Sequence, residues 1–72
     1  MYSVKNCPNW VHNHKYAVIR DCRNEQAPNN GFWFYGSYDS LITAQEALNE
    51  IGNGVIVESK EVEMIPPYNN FG

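Results

Sequence analysis

Residues 31–58 read GFWFYGSYDSLITAQEALNEIGNGVIVE, which places a strand, a capped helix and a second strand in unbroken succession. Phe32–Tyr38 is rich in the aromatic residues that suit a pleated surface. Gly36 inside it predicts a bulge or a close backbone approach. Asp39-Ser40 supplies a helix N-cap, because a short side-chain oxygen there accepts a backbone N–H that the helix leaves unpaired. Leu41, Ala44, Ala47, Leu48 and Ile51 recur at helical spacing and form one apolar stripe, with Gln45, Glu46, Asn49 and Glu50 mostly off it. Thr43-Ala-Gln-Glu46 also fits a capping box, but a start there would strand Leu41, so Ser40 is the expected cap. Gly52 ends the helix as the left-handed residue after the C-cap, and Asn53-Gly54 turns the chain. Residues 55–62 are then predicted as a strand, with Val55 and Val57 on one face and Ile56 and Val62 on the other.

Working outward, residues 15–22 alternate as a strand, with Tyr16, Val18 and Arg20 opposite Ala17, Ile19 and Asp21. Residues 23–31 hold Pro28 and end in Asn30-Gly31, so they read as a loop closed by a turn. Cys7-Pro8-Asn9 interrupts residues 1–14, and Trp10 and Val11 are expected to cover one end of the core. Residues 63–72 hold Pro66-Pro67 and Asn69-Asn70 and read as an irregular tail that Met64, Ile65, Tyr68 and Phe71 could dock. The expected fold is α+β, in the order β-β-α-β: a three-stranded antiparallel sheet of order 2-1-3 with one helix on one face. The chain reads as a single domain over 1–72, with its core in 15–62. One short helix covers only one sheet face, so the other meets the termini, solvent or a partner.

At 72 residues the chain has room for one small domain. Hydrophobic residues make up 43% and charged residues 18%, a balance that supports a packed core. No apolar run approaches the ~20 residues of a membrane span, and the start lacks the apolar stretch of a signal peptide. A cytoplasmic, non-membrane protein is therefore expected. The net charge of −3 is unevenly spread. Residues 1–38 carry Lys5, Lys15, Arg20 and Arg23 against Asp21 and Glu25, a net of +2. Residues 39–72 carry Lys60 against Asp39, Glu46, Glu50, Glu58, Glu61 and Glu63, a net of −5. Such asymmetry can steer a partner of opposite sign, or it can be an ordinary solvated helix face and strand edge.

Cys7, His12, His14 and Cys22 are zinc-ligand residue types, but the spacing C-x4-H-x-H-x7-C lacks both the C-x2–4-C knuckle and the H-x3–5-H pair that hold ligands in geometry. No metal and no other cofactor is expected, and the thiols read as reduced, with a Cys7–Cys22 disulfide as the minor alternative. Phe32 and Phe34 alternate with Trp33 and Tyr35, so one pair lies under the helix and the other on the face the helix does not reach. That second pair is either covered by Trp10 or the tail, or it binds a partner. Near Arg20 and Lys15 it could also stack single-stranded bases, although the glycine and basic pattern of RNA-binding sheets is absent. Pro66-Pro67-Tyr68 lacks the residue that a PPxY ligand places before its tyrosine. Ser3, Ser37, Ser40 and Ser59 have no histidine nearby in sequence, and no phosphate loop or dinucleotide fingerprint occurs. An enzyme is not expected.

The stretches Tyr16-Ala-Val-Ile-Arg20, Gly31 to Ser40 and Ala44 to Glu58 together resemble short uncharacterised open reading frames of bacteriophages and mobile elements in low-GC Gram-positive bacteria. The shared pattern is a Tyr-Val-Val-type strand, a "FYGxYDS" strand-to-helix junction and a "GNGVVVE"-type last strand. The resemblance covers about residues 15–62 and rests on caps, turns and strands rather than on a reactive group. It implies a bacterial cytoplasm and a host protein as partner. Such a protein would be a small inhibitor or anti-defence (anti-CRISPR-like) protein acting through an acidic face. The expected partner-binding residues are Glu46, Glu50, Glu58, Glu61, Trp33 and Tyr35. The alternative is a nucleic-acid module using Trp33, Tyr35, Arg20 and Lys15. Free strand edges leave monomer and homodimer equally open.

Overall fold

The structure, a computed structural model, describes residues 1–69. Tyr2–Lys5 is β1, Tyr16–Asp21 is β2, Phe32–Tyr38 is β3, Leu41–Ile51 is α1, Gly54–Glu58 is β4 and Val62–Ile65 is β5. Single 3-10 turns occupy Val11–Asn13 and Ser59–Glu61. The five strands form one sheet in the order β4-β2-β3-β1-β5. β2 pairs antiparallel with β3 and with β4, whereas β1 pairs parallel with β3 and with β5. This overturns the expected three-stranded antiparallel sheet: the domain is α+β, but its sheet is mixed and five-stranded. The three expected strands make up the β3-β2-β4 portion. The segments read as irregular, 1–14 and 63–72, supply β1 and β5, which extend the sheet beyond β3.

The chemistry of the central stretch shows in the local geometry. Ser40 is extended, and its Oγ accepts the Ile42 N–H at 3.2 Å, so α1 starts at Leu41. Gly52 ends the helix at φ +72° and donates its N–H to the Leu48 carbonyl at 2.8 Å. On β3 the register jumps from Val18↔Gly36 to Ile19↔Phe34, which leaves Tyr35 as the extra residue of a bulge beside Gly36.

The strand predicted over 55–62 breaks after Glu58, and Val62 opens β5 instead. This break bends the whole sheet. β4 and β5 are opposite edges, separated by four inter-strand gaps of ~4.8 Å, roughly 19 Å if the sheet were flat. Ser59–Glu61 bridges them with one tight 3-10 turn, which advances only ~6 Å. The sheet therefore curls until its edges approach at that corner. Its concave side holds the main core: Val4, Cys7, Val11, Ala17, Ile19, Val57 and Val62 are buried together, with Tyr2, Phe32, Phe34, Val55 and Met64 against them. Val62 thus shares a face with Val57, contrary to the expected alternation. Trp10 stands edge-on to Phe34 at 6.1 Å, so the N-terminal segment caps the concave side, with Val4, Cys7, Pro8 and Val11 fully buried ahead of residue 15.

α1 packs on the convex side, where Ala44 and Ala47 meet Val18, with Tyr16, Tyr35, Tyr38, Ile51 and Ile56 around them. The tail is tied by backbone bonds. Asn6 donates its N–H to the Pro67 carbonyl at 2.6 Å, and Asn69 donates to the Cys7 carbonyl at 3.0 Å. Tyr68 stays 52% exposed and does not anchor the tail. Asn70 and Phe71 lie outside the described residues.

Candidate functional site

Two surfaces on the convex side remain open after the core is built. The first is the outer face of α1. Its buried side is carried by Ala44 and Ala47, while Leu41 is 55% and Ile42 74% exposed. Leu41 was expected inside the stripe and lies largely outside it. With Gln45 and Glu46 these two residues line an open cleft of about 360 Å³. Positions three and four apart share a helix face, so Ile42, Gln45, Glu46, Asn49 and Glu50 form one exposed strip. Gln45 Nε2 donates to Asn49 Oδ1 at 3.1 Å, and Tyr35 donates its hydroxyl to Glu50 Oε2 at 3.3 Å. Asp39, at the start of the helix, accepts from His14 Nδ1 at 3.1 Å and from the Lys15 N–H at 3.2 Å. Those bonds hold its carboxyl below the ordinary aspartate range, the His14 bond most strongly, so it is ionised wherever the protein is folded at neutral pH.

The second surface is a row that crosses the sheet beyond the end of the helix. Registers place Arg20 beside Trp33, Trp33 beside Lys5 and Lys5 beside Ile65. Arg20 stacks over the Tyr35 ring at 5.2 Å, and the Lys5 ammonium lies 5.7 Å from the Trp33 ring. This row is already engaged with the 22–31 loop. Lys5 Nζ donates to the carbonyls of Asn30 (2.8 Å) and Pro28 (3.2 Å), and Trp33 Nε1 donates to the Asn29 carbonyl at 2.8 Å. A shallow pocket of about 310 Å³ beside Trp33 includes Arg20, Cys22, Glu25 and Asn29 in its walls. At the root of the loop, Arg23 grips both carboxylate oxygens of Asp21 at 2.8 and 2.7 Å and holds that carboxyl down to about 2.

The acidic residues named from sequence do not gather on one face. Glu46 and Glu50 are on α1, Glu58 ends β4 within 3.5 Å of Lys60, and Glu61 is in the closing turn. Glu63 sits on β5 and accepts from Ser3 Oγ at 2.9 Å. Trp33 and Tyr35 share the convex side with the helix, while Phe32 and Phe34 belong to the concave core. Ile42 was missed by the sequence reading, although an apolar residue off the helical stripe was the available signal.

Among the described residues, no three His, Cys, Asp or Glu side chains come together as metal ligands would. Cys7 is buried in the core, and Cys22 lies past the far end of β2 from His14, roughly 20 Å away at ~3.3 Å per residue. Both thiols are free. Burial pushes the Cys7 thiol up to about 11, and its Sγ–H points to the Val4 carbonyl at 3.6 Å. Burial first, and Glu25 second, also raise Cys22, which is only partly covered. At pH 8 in native buffer, one equivalent of iodoacetamide is therefore expected to label Cys22 alone. Cys7 should react only as urea unfolds the chain, and peptide mass mapping reads the order. Equal labelling of both thiols without urea would contradict the buried placement of Cys7.

Compared with protein-family models, curated proteins and solved structures, the chain matches none. Among the described residues, no helix is long and apolar enough to cross a membrane.

Proposed function

We propose that this chain is a small non-enzymatic protein-binding module that docks through the outer face of α1. The observation that carries the reading is the pair Leu41 and Ile42, left 55% and 74% exposed at the head of a helix whose next two outward turns bear Glu46 and Glu50. Exposed apolar side chains bordered by carboxylates complement an apolar seat ringed by lysine or arginine on a partner protein. Glu46 and Glu50 are the charged residues of α1 and no basic residue stands in it, so the field at the helix face favours a basic partner. The resemblance to phage and mobile-element proteins supplies the setting: a host protein in a bacterial cytoplasm, bound by a small inhibitor of the anti-defence kind.

The test is affinity capture from lysate of a low-GC Gram-positive host, with and without nuclease, followed by titration of the purified partner. Ile42→Asp and the double reversal Glu46→Lys/Glu50→Lys should each weaken that titration at least tenfold, and binding should fall as salt rises. A partner that binds all three proteins equally would sink the reading.

The row Arg20–Trp33–Lys5 favours one other reading, a single-stranded nucleic-acid module. It expects tryptophan fluorescence to be quenched by oligothymidine at low salt. The helix-face reading expects no quenching, because Lys5 and Trp33 are already bonded to loop carbonyls.

A further inference from the structure

β4 is one edge of the sheet, and one side of its backbone is unpaired. Asp21 donates its N–H to the Asn53 carbonyl at 3.0 Å, and Ser59 donates to the Lys15 carbonyl at 3.0 Å. An antiparallel ladder bonds every second residue, so Val55 and Val57 turn their backbone groups toward β2 and Gly54, Ile56 and Glu58 turn theirs away. The Glu58 carbonyl is taken up by the 3-10 turn that it opens. The N–H groups of Gly54, Ile56 and Glu58 and the carbonyls of Gly54 and Ile56 find no hydrogen-bond partner among the described residues. Folded proteins blunt such edges with proline, lysine or a bulge. β4 reads GVIVE and pairs with β2 in unbroken register, so it has none of these. The opposite edge is protected: the Val62 carbonyl of β5 lies 2.8 Å from His12 Nε2, and Pro66-Pro67 follows the strand at once. β5 pairs with β1 and leaves the β4 edge uncovered.

We infer that two copies of this chain pair antiparallel along β4, about a two-fold axis at Ile56, and join their sheets into one. An isologous contact needs a surface that complements itself, and β4 does so in its backbone, its side chains and its charges. Ile56 exchanges both of its backbone bonds with Ile56 of the second copy, and each Glu58 N–H reaches a Gly54 carbonyl across the axis. On the convex side the two isoleucines meet. On the concave side Val55 meets Val57 of the second copy, so the main core continues across the join. Arg20 pairs with Gly54 within each copy, so Glu58 stands two strands from Arg20 of the second copy with Gly54 between them. The two Glu58 residues are themselves four positions apart along the strands, roughly 13 Å. Opposite charges thus share the row and like charges do not. The protected β5 edge stops the assembly at two copies. The pairing uses no residue of the outer face of α1, so it stands or falls independently of the docking reading.

The experiment combines sedimentation equilibrium with amide hydrogen exchange of the full chain at about 10 µM and about 1 mM. One short strand pair makes a small interface, so a monomer–dimer equilibrium with a dissociation constant on the order of 100 µM is expected. Between the two concentrations the amides of Ile56 and Glu58 should slow roughly fourfold, while those of Val55 and Val57, bonded to β2, should be protected at both. Glu58→Pro is the decisive variant. Glu58 has φ −72°, which suits proline, and its N–H is not used by β2, so the fold keeps its ladder while the second copy loses a donor. It should abolish the dimer. Glu58→Lys, which sets like charges beside Arg20 of the second copy, should weaken it severalfold and decides the matter if the proline variant does not fold. Ile42→Asp, on the outer face of α1, should leave the dimer unchanged. The inference is overturned by a single-chain mass at the higher concentration, by a dimer that both Glu58 variants leave intact, or by one that Ile42→Asp removes.

Discussion

An Ile19→Ala variant is expected to lose about 3–4 kcal/mol of stability and to melt roughly 15–25 °C below the parent chain. Ile19 heads the largest fully buried side chains. It sits on β2, the strand that joins β4 to the rest of the sheet, with Phe34 on one side and Val55 on the other. Its side chain points into the concave core, where residues from all five strands meet. The surroundings cannot collapse onto a vacated site easily. A Cβ at Gly54 would already lie 2.5 Å from the Ile19 carbonyl oxygen, so the β2–β4 backbones are close to their limit of approach. A domain of 72 residues is worth about 4–11 kcal/mol in total, and a small core places it toward the low end. The loss therefore removes a large share of the folded margin. Thermal melts followed by far-ultraviolet circular dichroism measure it, with Ile42→Ala as the control. Ile42 is 74% exposed, and its truncation should change stability by no more than about 0.5 kcal/mol. Equal shifts in the two variants would refute the placement of Ile19 at the centre of the core.

The parts of this fold that were legible in the sequence are those announced by local chemistry. Ser40 and Gly52 bracket α1 because capping is a contact between near neighbours. β2, β3 and β4 are five to seven residues long and bounded by turn residues, so their alternation stands clear. β1 and β5 have four residues each. Two alternations of Tyr2 and Val4 with Ser3 and Lys5 are too few to separate from an irregular segment. Their pairing is also parallel and joins Tyr2 to Val62, so no turn between them announces it. Misreading residues 59–61 as strand hid the curl of the sheet, and with it the corner that gathers His12, His14, Lys15 and Ser59. The exposure of Glu46 and Glu50 was readable from helical spacing. The exposure of Leu41 was not, because spacing alone puts it in the apolar stripe, and only the packing of Ala44 and Ala47 on Val18 shows which part of that stripe is buried.

A chain trimmed to residues 15–62, the span that carries the sequence resemblance, is expected not to fold. The trim leaves β2, β3, α1 and β4 intact but removes β1 entirely and all of β5 except Val62. β1 is an interior strand with partners on both sides, so its loss unpairs β3 along one edge and separates β5 from the sheet. It also removes Val4, Cys7, Pro8 and Val11, all fully buried, together with Trp10 from its place against Phe34. At ~1.5–3 kcal/mol for each large apolar side chain buried, the deleted core residues contribute about 5–10 kcal/mol, as much as the whole domain has to lose. Ala17, Ile19, Phe32 and Phe34 would face water on the concave side, and α1 reaches only the convex one. The trimmed chain should show narrow amide dispersion in a 15N–1H spectrum and no cooperative melt, while the full chain shows both dispersion and a single transition. A cooperatively folded 15–62 fragment would mean that β-β-α-β stands alone and that β1 and β5 are additions to it. A milder probe avoids the change in length: Val4→Asp places a charge at the centre of the concave core and should unfold the full chain. Ser3→Lys, on the neighbouring exposed position of the same strand and directly opposite Glu63, should leave the fold intact. Opposite outcomes at adjacent residues are what an interior strand with one buried face requires, and an irregular N-terminal segment would not produce them.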